Sequence, residues 1–334
     1  MSSNRTNSRD RRGLIQPHQL AAREGWARRA ALVAMAASAL LIAGCGSGGS
    51  AASASASSSS TPSARPFTIG AIPDQDPQKL QRLYGTVADY LSSHLHLTVR
   101  YRPVTDYTSA VNLFRSGDLD MVWFGGLTGV QARLQVPGAQ AIAQRNIDDK
   151  FTSYFIVNSS TGIDPVSGLQ GLTKLKGLRF TYGSPSSTSG TLMPEYFLDK
   201  AGVHNGDFAG QPGFSGSHDK TLALVQAGSF QAGALNSQVW DTRLKAGTID
   251  TTKVHIIFRT PAYHDYHWLI RPHLDQYYGS DFTQRVTSVL VGIKASDPSG
   301  AEVLKLFAAK QFVPTNNGNY KQIETIGRKL GVIT

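Results

Sequence analysis

Leu178-Arg179-Phe180-Thr181-Tyr182-Gly183-Ser184-Pro185-Ser186-Ser187-Thr188-Ser189-Gly190 is a short apolar strand running into a turn crowded with hydroxyls. A helical pattern from Leu192 to Ala201 follows at once. Strand, tight turn and helix in a single breath is the repeating unit of layered α/β folds. The same unit recurs on both sides. Phe67 to Ile72 reads as a strand closed by Pro73, and Leu80, Leu83, Val87, Tyr90 and Leu91 then fall at helical spacing. Leu97 to Tyr101 is a strand, Thr108 to Ser116 a helix stopped by Gly117, and Met121 to Phe124 a strand entering Gly125-Gly126. Further strands are expected at Ala139–Gln144, Ser153–Val157, Gly213-Phe214, Gln231–Leu235 and Val254–Phe258, with a helix from Lys220 to Ala227. The alternation predicts α/β layers around mixed, mainly parallel sheets. About 270 ordered residues exceed a comfortable single core, so two lobes are expected.

The N-terminus has a different character. Residues 1–44 carry seven arginines against Asp10 and Glu24, a net of +5 and half of the +10 of the whole chain. Arg28-Arg29 leads into an apolar run, Ala30 to Ala43, too short to span a bilayer and shaped like a secretory leader. Leu41-Ile42-Ala43-Gly44-Cys45 resembles a bacterial lipobox, which makes Cys45, the single cysteine, the expected site of lipidation. Residues 45–66 are almost wholly Gly, Ser, Ala, Thr and Pro and predict a flexible tether of roughly 20–30 Å root-mean-square span. The remaining charge forms no basic run of the kind that follows a phosphate backbone, so no nucleic-acid partner is expected. A single cysteine excludes an intrachain disulfide and a cysteine-built metal site.

Three stretches carry chemistry. Ser187, Thr188 and Ser189 sit where a helix begins, and hydroxyls with free amides at a helix N-terminus suit an anion. The same residues also suit an ordinary hydroxyl cap. Phe214-Ser215-Gly216-Ser217-His218-Asp219 is a second strand-to-helix turn, in which His218 can face an oxyanion or simply follow a Ser217 cap. At Trp123-Phe124-Gly125-Gly126 the glycines let backbone amides approach a ligand closely, while the aromatics suit a core or a recognition surface. Enzyme signatures are weak. No nucleophile elbow, phosphate-binding loop or dinucleotide fingerprint is present. His264-Asp265 cannot easily share one ion, because neighbours on a strand face opposite ways. Neither a metal nor a cofactor is expected.

These residues, with Phe67-Thr68-Ile69-Gly70, Val104-Thr105-Asp106-Tyr107, Gly117 to Gly125 and Leu175-Lys176-Gly177, occur in an order and spacing that resemble the phosphate/phosphite/phosphonate-binding proteins of ABC importers. Within that family the nearest likeness is to a branch named for selenate binding. It is carried by Ile72-Pro73-Asp74-Gln75-Asp76, Gly125 to Arg133 and Thr260-Pro261-Ala262-Tyr263-His264-Asp265-Tyr266. The resemblance implies a two-lobed, type II periplasmic clamshell, with lobe I from 67–156 and 260–334, lobe II from 157–259, and crossings near Ile156 and Arg259. It implies an exported, lipid-anchored monomer on the outer face of the cell membrane, which binds a small oxyanion and serves an ABC permease and its ATPase. Ligand contacts would fall on Tyr107, Ser187, Thr188, Ser189, His218 and Asp265, to which the reading of the glycine-rich turn adds Trp123 and Gly125. Two positions depart from the family pattern. Phe151 stands where phosphonate binders carry a tyrosine, and Gln238 where the aminophosphonate binder places a carboxylate. An ionised Asp265 in an anion site can only accept, so it favours an oxyanion that bears a proton. Alternatives are a ligand-sensing module for a membrane receptor and a surface phosphate-ester hydrolase using His218 and Asp265.

Overall fold

A computed structural model describes residues Arg65 to Thr334, all within one compact unit of the chain. The leader, Cys45 and residues 45–64 of the tether lie outside the described residues. Eleven strands among the described residues form two sheets. The first holds β1 (Phe67–Ala71), β2 (Val99–Tyr101), β3 (Met121–Phe124), β4 (Gln140–Arg145), β10 (His267–Ile270) and β11 (Phe312–Pro314), in the order β11-β4-β10-β3-β1-β2. The second holds β5 (Ser153–Asn158), β6 (Phe180–Tyr182), β7 (Gly213–Phe214), β8 (Ala232–Asn236) and β9 (Val254–Arg259), in the order β7-β6-β8-β5-β9. The α-helices are α1 (Pro77–Leu95), α2 (Tyr107–Ser116), α3 (Gly126–Gln135), α4 (Met193–Lys200), α5 (His218–Gln226), α6 (Ser237–Lys245), α7 (Asp275–Tyr278), α8 (Phe282–Val291), α9 (Pro298–Leu306) and α10 (Lys321–Lys329).

Helix boundaries follow local chemistry. Asp76 accepts from the Lys79 N–H at 3.0 Å to open α1, with Pro77 in the first turn. Asp106 does the same for α2 through the Ser109 N–H at 2.8 Å, and Gly117, at φ +88°, ends that helix in the left-handed region. The helix expected from Leu192 starts earlier: Thr188–Leu192 forms a wide helical turn, closed by the Leu192 N–H on the Ser187 carbonyl, and runs directly into α4.

The sheets are mixed, not mainly parallel. β1 pairs in parallel with β2 and β3, and β6 with β7 and β8. The other five pairings are antiparallel. Parallel ladders arise where a helix carries the chain back between strands. β4 and β10 run against their neighbours because the chain leaves the first sheet after one and returns to it with the other. Residues 146–152 lead from β4 to β5, and residues 260–266 lead back from β9 to β10. These two segments lie side by side, with Phe151 and Tyr263 exchanging both backbone hydrogen bonds at 2.9 Å. β5 belongs wholly to the second sheet, so Ile156 lies inside a strand, while Arg259 ends β9.

The core of the first sheet is aromatic. Trp268 meets Trp123 and Tyr84 edge-on, and Phe307 packs against both tryptophans. Helix α3 lies tight on β10 through Gly129, where a Cβ would stand 2.3 Å from the imidazole of His267. That ring is trapped from the other side by Tyr320, 4.0 Å away between centroids. Gly129→Ala should therefore destabilise the protein by about 1–3 kcal/mol through overpacking, despite alanine's better helix propensity. A urea midpoint unchanged from wild type would show that the imidazole yields freely.

Candidate functional site

The site grows from three turns that meet between the sheets. β3 ends at Gly125, and the first amides of α3 point out of the turn. The Gly126 N–H donates to Asp265 Oδ1 and the Leu127 N–H to Thr188 Oγ1, each at 2.9 Å. A Cβ on Gly125 would lie 3.1 Å from Thr188 Oγ1 and 3.3 Å from Asp265 Oδ1, so close convergence of the three turns requires glycine there. In the second turn Ser187 Oγ accepts from the Gly190 N–H at 3.0 Å. Here too a side chain would crowd: a Cβ on Gly190 would be 3.1 Å from His218 Cε1. Ser153 Oγ donates to the Ser189 carbonyl at 2.7 Å and meets the Tyr263 hydroxyl at 2.6 Å, tying this turn to the segments that join the sheets.

Three polar atoms around this junction are buried and have no hydrogen-bond partner: Tyr107 Oη, Ser189 Oγ and Asp265 Oδ2. The other two such atoms among the described residues, Arg133 Nε and Trp268 Nε1, belong to side chains packed on α10 and in the aromatic core. Buried polar atoms are nearly always paired, so three orphans gathered at one junction mark a place built for a polar guest. Burial pushes the Asp265 carboxyl up to about 7, with the Gly126 N–H pulling the other way.

His218 opens α5 on the opposite wall. Its Nδ1 accepts from the Asn236 N–H at 3.3 Å, which leaves Nε2 to carry the proton toward the Tyr266 hydroxyl at 3.3 Å. Burial pushes its pKa down to about 4, so the ring is neutral at pH 7. Tyr266 also accepts from Asn236 Nδ2 at 2.9 Å and stacks 5.9 Å from Trp123. Beside it lies a second buried carboxyl, Asp74, raised to about 6 by desolvation and held back by the Tyr266 hydroxyl and by Arg145.

Of the residues expected from sequence, the structure thus gathers Tyr107, Gly125, Ser187, Thr188, Ser189, His218 and Asp265, with Trp123 behind Tyr266. Phe151 and Gln238 stand apart. Phe151 packs edge-on to Tyr266 at 5.4 Å, and Gln238 Oε1 accepts from Arg145 at 3.3 Å. Both line a separate cavity of about 550 Å³ beside the joining segments. Sequence reasoning gave no ligand role to Arg145, Asp74, Asn236 or Tyr263, although Asp74 and Tyr263 fall in stretches that carry the branch likeness. Arg145 is buried, paired with Asp148 through Nε at 2.9 Å and Nη2 at 2.6 Å. Its guanidinium sits 5.0, 5.5 and 5.7 Å from the rings of Tyr266, Trp123 and Phe151.

The two sheets are drawn together over the site. The His218 N–H donates to the Asp74 carbonyl at 3.0 Å. The Asp76 N–H donates to Asp219 Oδ2 at 2.8 Å, and Arg243 Nε holds the other oxygen of Asp219 at 2.6 Å. Lys329 Nζ reaches Asp199 at 3.0 Å. The arrangement suits gripping a small anion with hydroxyls and amides. It shows no serine–histidine pair, since His218 is engaged with Tyr266 and makes no hydrogen bond to Ser189.

Residues 69–320 match the family described as the phosphonate periplasmic substrate-binding protein of ABC transporters. The chain is 48% identical over 266 residues, 79% of its own length and 90% of the relative's, to the probable ABC transporter phosphite-binding protein PhnD1 of Prochlorococcus marinus. It superposes on the structure of that protein in complex with methylphosphonate with a TM-score of 0.79, covering 80% of this chain and 98% of the other. The phosphonates-binding periplasmic protein of Escherichia coli is 26% identical over 197 residues, 58% of this chain and 56% of that one. A binding component of a phosphonate ABC transporter from Pseudomonas aeruginosa, 18% identical, shares the fold at a TM-score of 0.68 over 78% of this chain and 84% of its own. The two-sheet architecture, the enclosed junction and these likenesses agree: the chain belongs to the phosphonate-binding family of periplasmic substrate-binding proteins of ABC transporters, and it is a binding protein, not an enzyme.

Proposed function

We propose that this chain captures a small phosphorus oxyanion carrying one proton, of the phosphite or methylphosphonate kind, and delivers it to its permease. The observation that carries the reading is the meeting of Tyr107 Oη, Ser189 Oγ and Asp265 Oδ2, all buried and unpartnered. An oxyanion with one hydroxyl matches that set: its oxygens accept from the two hydroxyls, and its own O–H donates to the carboxylate. The names of the relatives point to the same ligand class. Where Asp265 is ionised, sulfate and selenate, which carry no proton, would set a bare oxygen against its carboxylate, which argues against selenate as the ligand.

An ABC importer's binding protein is exported, and its partners are a permease and an ATPase. Within that frame, cleavage before Cys45 would leave an acylated N-terminus, with the Gly/Ser/Ala segment as a tether for a monomeric body. The side-by-side segments at Phe151–Ser153 and Arg259–Tyr263 would serve as the hinge, opening the cleft to admit the anion and closing to present it.

A thermal-shift panel tests the ligand. Phosphite, methylphosphonate, phosphate and selenite, each at about a hundred times its dissociation constant, should stabilise the protein by about 2.7 kcal/mol. Sulfate and selenate should leave it unmoved. Stabilisation by selenate alone would overturn the assignment.

A further inference from the structure

The cavity of about 550 Å³ beside the joining segments is lined by Phe151, Thr152, Ser237, Gln238, Asp241 and Arg259, among others, and by none of the residues gathered at the anion junction. Yet only one layer of side chains separates the two. Asn236 belongs to the junction, through His218 and Tyr266, and two residues further along the same turn Gln238 faces the cavity. Tyr266 belongs to the junction, and the ring packed edge-on against it, Phe151, faces the cavity. Between them lies the guanidinium of Arg145, over both rings and hydrogen-bonded to Gln238.

We propose that Phe151, backed by the Arg145–Asp148 pair, is a specificity-determining partition that limits the substituent on the ligand's central atom to about the size of a methyl group. The inference rests on the oxyanion reading of the junction and adds what decides substituent size. A longer substituent pointing toward the hinge would have to displace the Phe151 ring and push Arg145 off a carboxylate that has no other charged partner. The turn also sits where it can register such a push, because the Asp148 carbonyl accepts from the Asp265 N–H at 3.0 Å. Displacing Asp148 would therefore shift the carboxylate that meets the anion. Beyond the partition the cavity provides about 550 Å³ of room, so the barrier is steric.

The test is calorimetric titration of the full-length protein and of Phe151→Ala with phosphite, methylphosphonate, butylphosphonate and phenylphosphonate. Phe151→Val, which keeps more of the ring's volume, is run beside it in case the alanine variant folds poorly. Wild type should bind the two larger phosphonates at least a hundredfold more weakly than methylphosphonate, and the variants should narrow that ratio to within about tenfold. A ratio unchanged in a variant that still binds methylphosphonate would overturn the partition. Loss of methylphosphonate binding in both variants would overturn it too, by placing Phe151 in the anion grip itself. If wild type binds neither phosphite nor methylphosphonate, the oxyanion reading is what has failed.

Discussion

Asparagine in place of Asp265 is expected to raise the melting temperature of the ligand-free protein at pH 8 and to admit sulfate and selenate to the site. Both effects follow from one oxygen. Asp265 Oδ1 is held by the Gly126 N–H, whereas Oδ2 is buried with no partner. Burial lifts the carboxyl from 3.8 to about 7, so the folded protein keeps this proton to a higher pH than the unfolded chain does. Stability that is fully present below pH 4 is accordingly lost as pH rises through 7. The full loss is on the order of 4 kcal/mol for a shift of that size. Asp74, raised to about 6, loses stability in the same sense over a lower range. His218 works oppositely, because burial lowers it from 6.5 to about 4 and the folded state sheds its proton first; His267, lowered to about 3, does likewise. Those histidine contributions are common to both proteins, so comparing wild type with Asp265→Asn in a melting series from about pH 5 to 8.5 isolates Asp265. Wild type should fall across that range by several degrees more than Asp265→Asn.

The same substitution inverts selectivity. Asparagine can keep its carbonyl on the Gly126 N–H and turn an amide donor toward the guest where Oδ2 stood. An anion without a proton then meets a donor in place of a negative charge. A variant with wild-type selectivity among phosphite, sulfate and selenate would remove Asp265 from the recognition scheme.

Arg145→Ala, at the end of β4, should be strongly destabilising. It would strand Asp148, a buried carboxylate whose pKa burial already raises in spite of the guanidinium beside it. Breaking a buried pair from one side typically costs about 3–5 kcal/mol, whereas replacing both partners with neutral groups is far milder. The three aromatic faces around the guanidinium and its hydrogen bond to the Phe307 carbonyl would be lost as well. Urea unfolding of Arg145→Ala beside Arg145→Met/Asp148→Asn distinguishes the causes. The double variant should recover most of the loss. Equal losses in the two would show that packing, not the stranded charge, sets the penalty, and a loss under about 1 kcal/mol for Arg145→Ala would show the pair to be idle.

The local grammar of this chain was open to reading. Asp76 before Pro77, Asp106 before Tyr107 and Gly117 after Ser116 mark helix ends through hydrogen bonds that span three residues, so no distant segment is needed to predict them. The alternation of strand and helix, and the hydroxyls at Ser187–Ser189, are visible for the same reason. The pairing sense of the strands was less legible. β4 and β10 are antiparallel partners more than 120 positions apart, and nothing within either strand announces the other. β10, His267–Ile270, begins on the last residue of the His264–His267 run, and His264 and Asp265, expected on a strand, lie in the segment before it.

What the sequence alone determined is the class of the protein: an α/β body with hydroxyl- and glycine-rich turns placed at the ends of strands. Tertiary structure decided which of those polar groups matter. Tyr107, Ser189 and Asp265 become the candidate site because the assembled fold buries them and leaves their last hydrogen bonds unmade. Arg145, one arginine among many in the sequence, becomes a buried pair walled by three rings because segments remote in the chain close over it. Desolvation is a property of the assembled surroundings, and it alone turns an ordinary serine, tyrosine or carboxylate into one with an unmet demand for a partner.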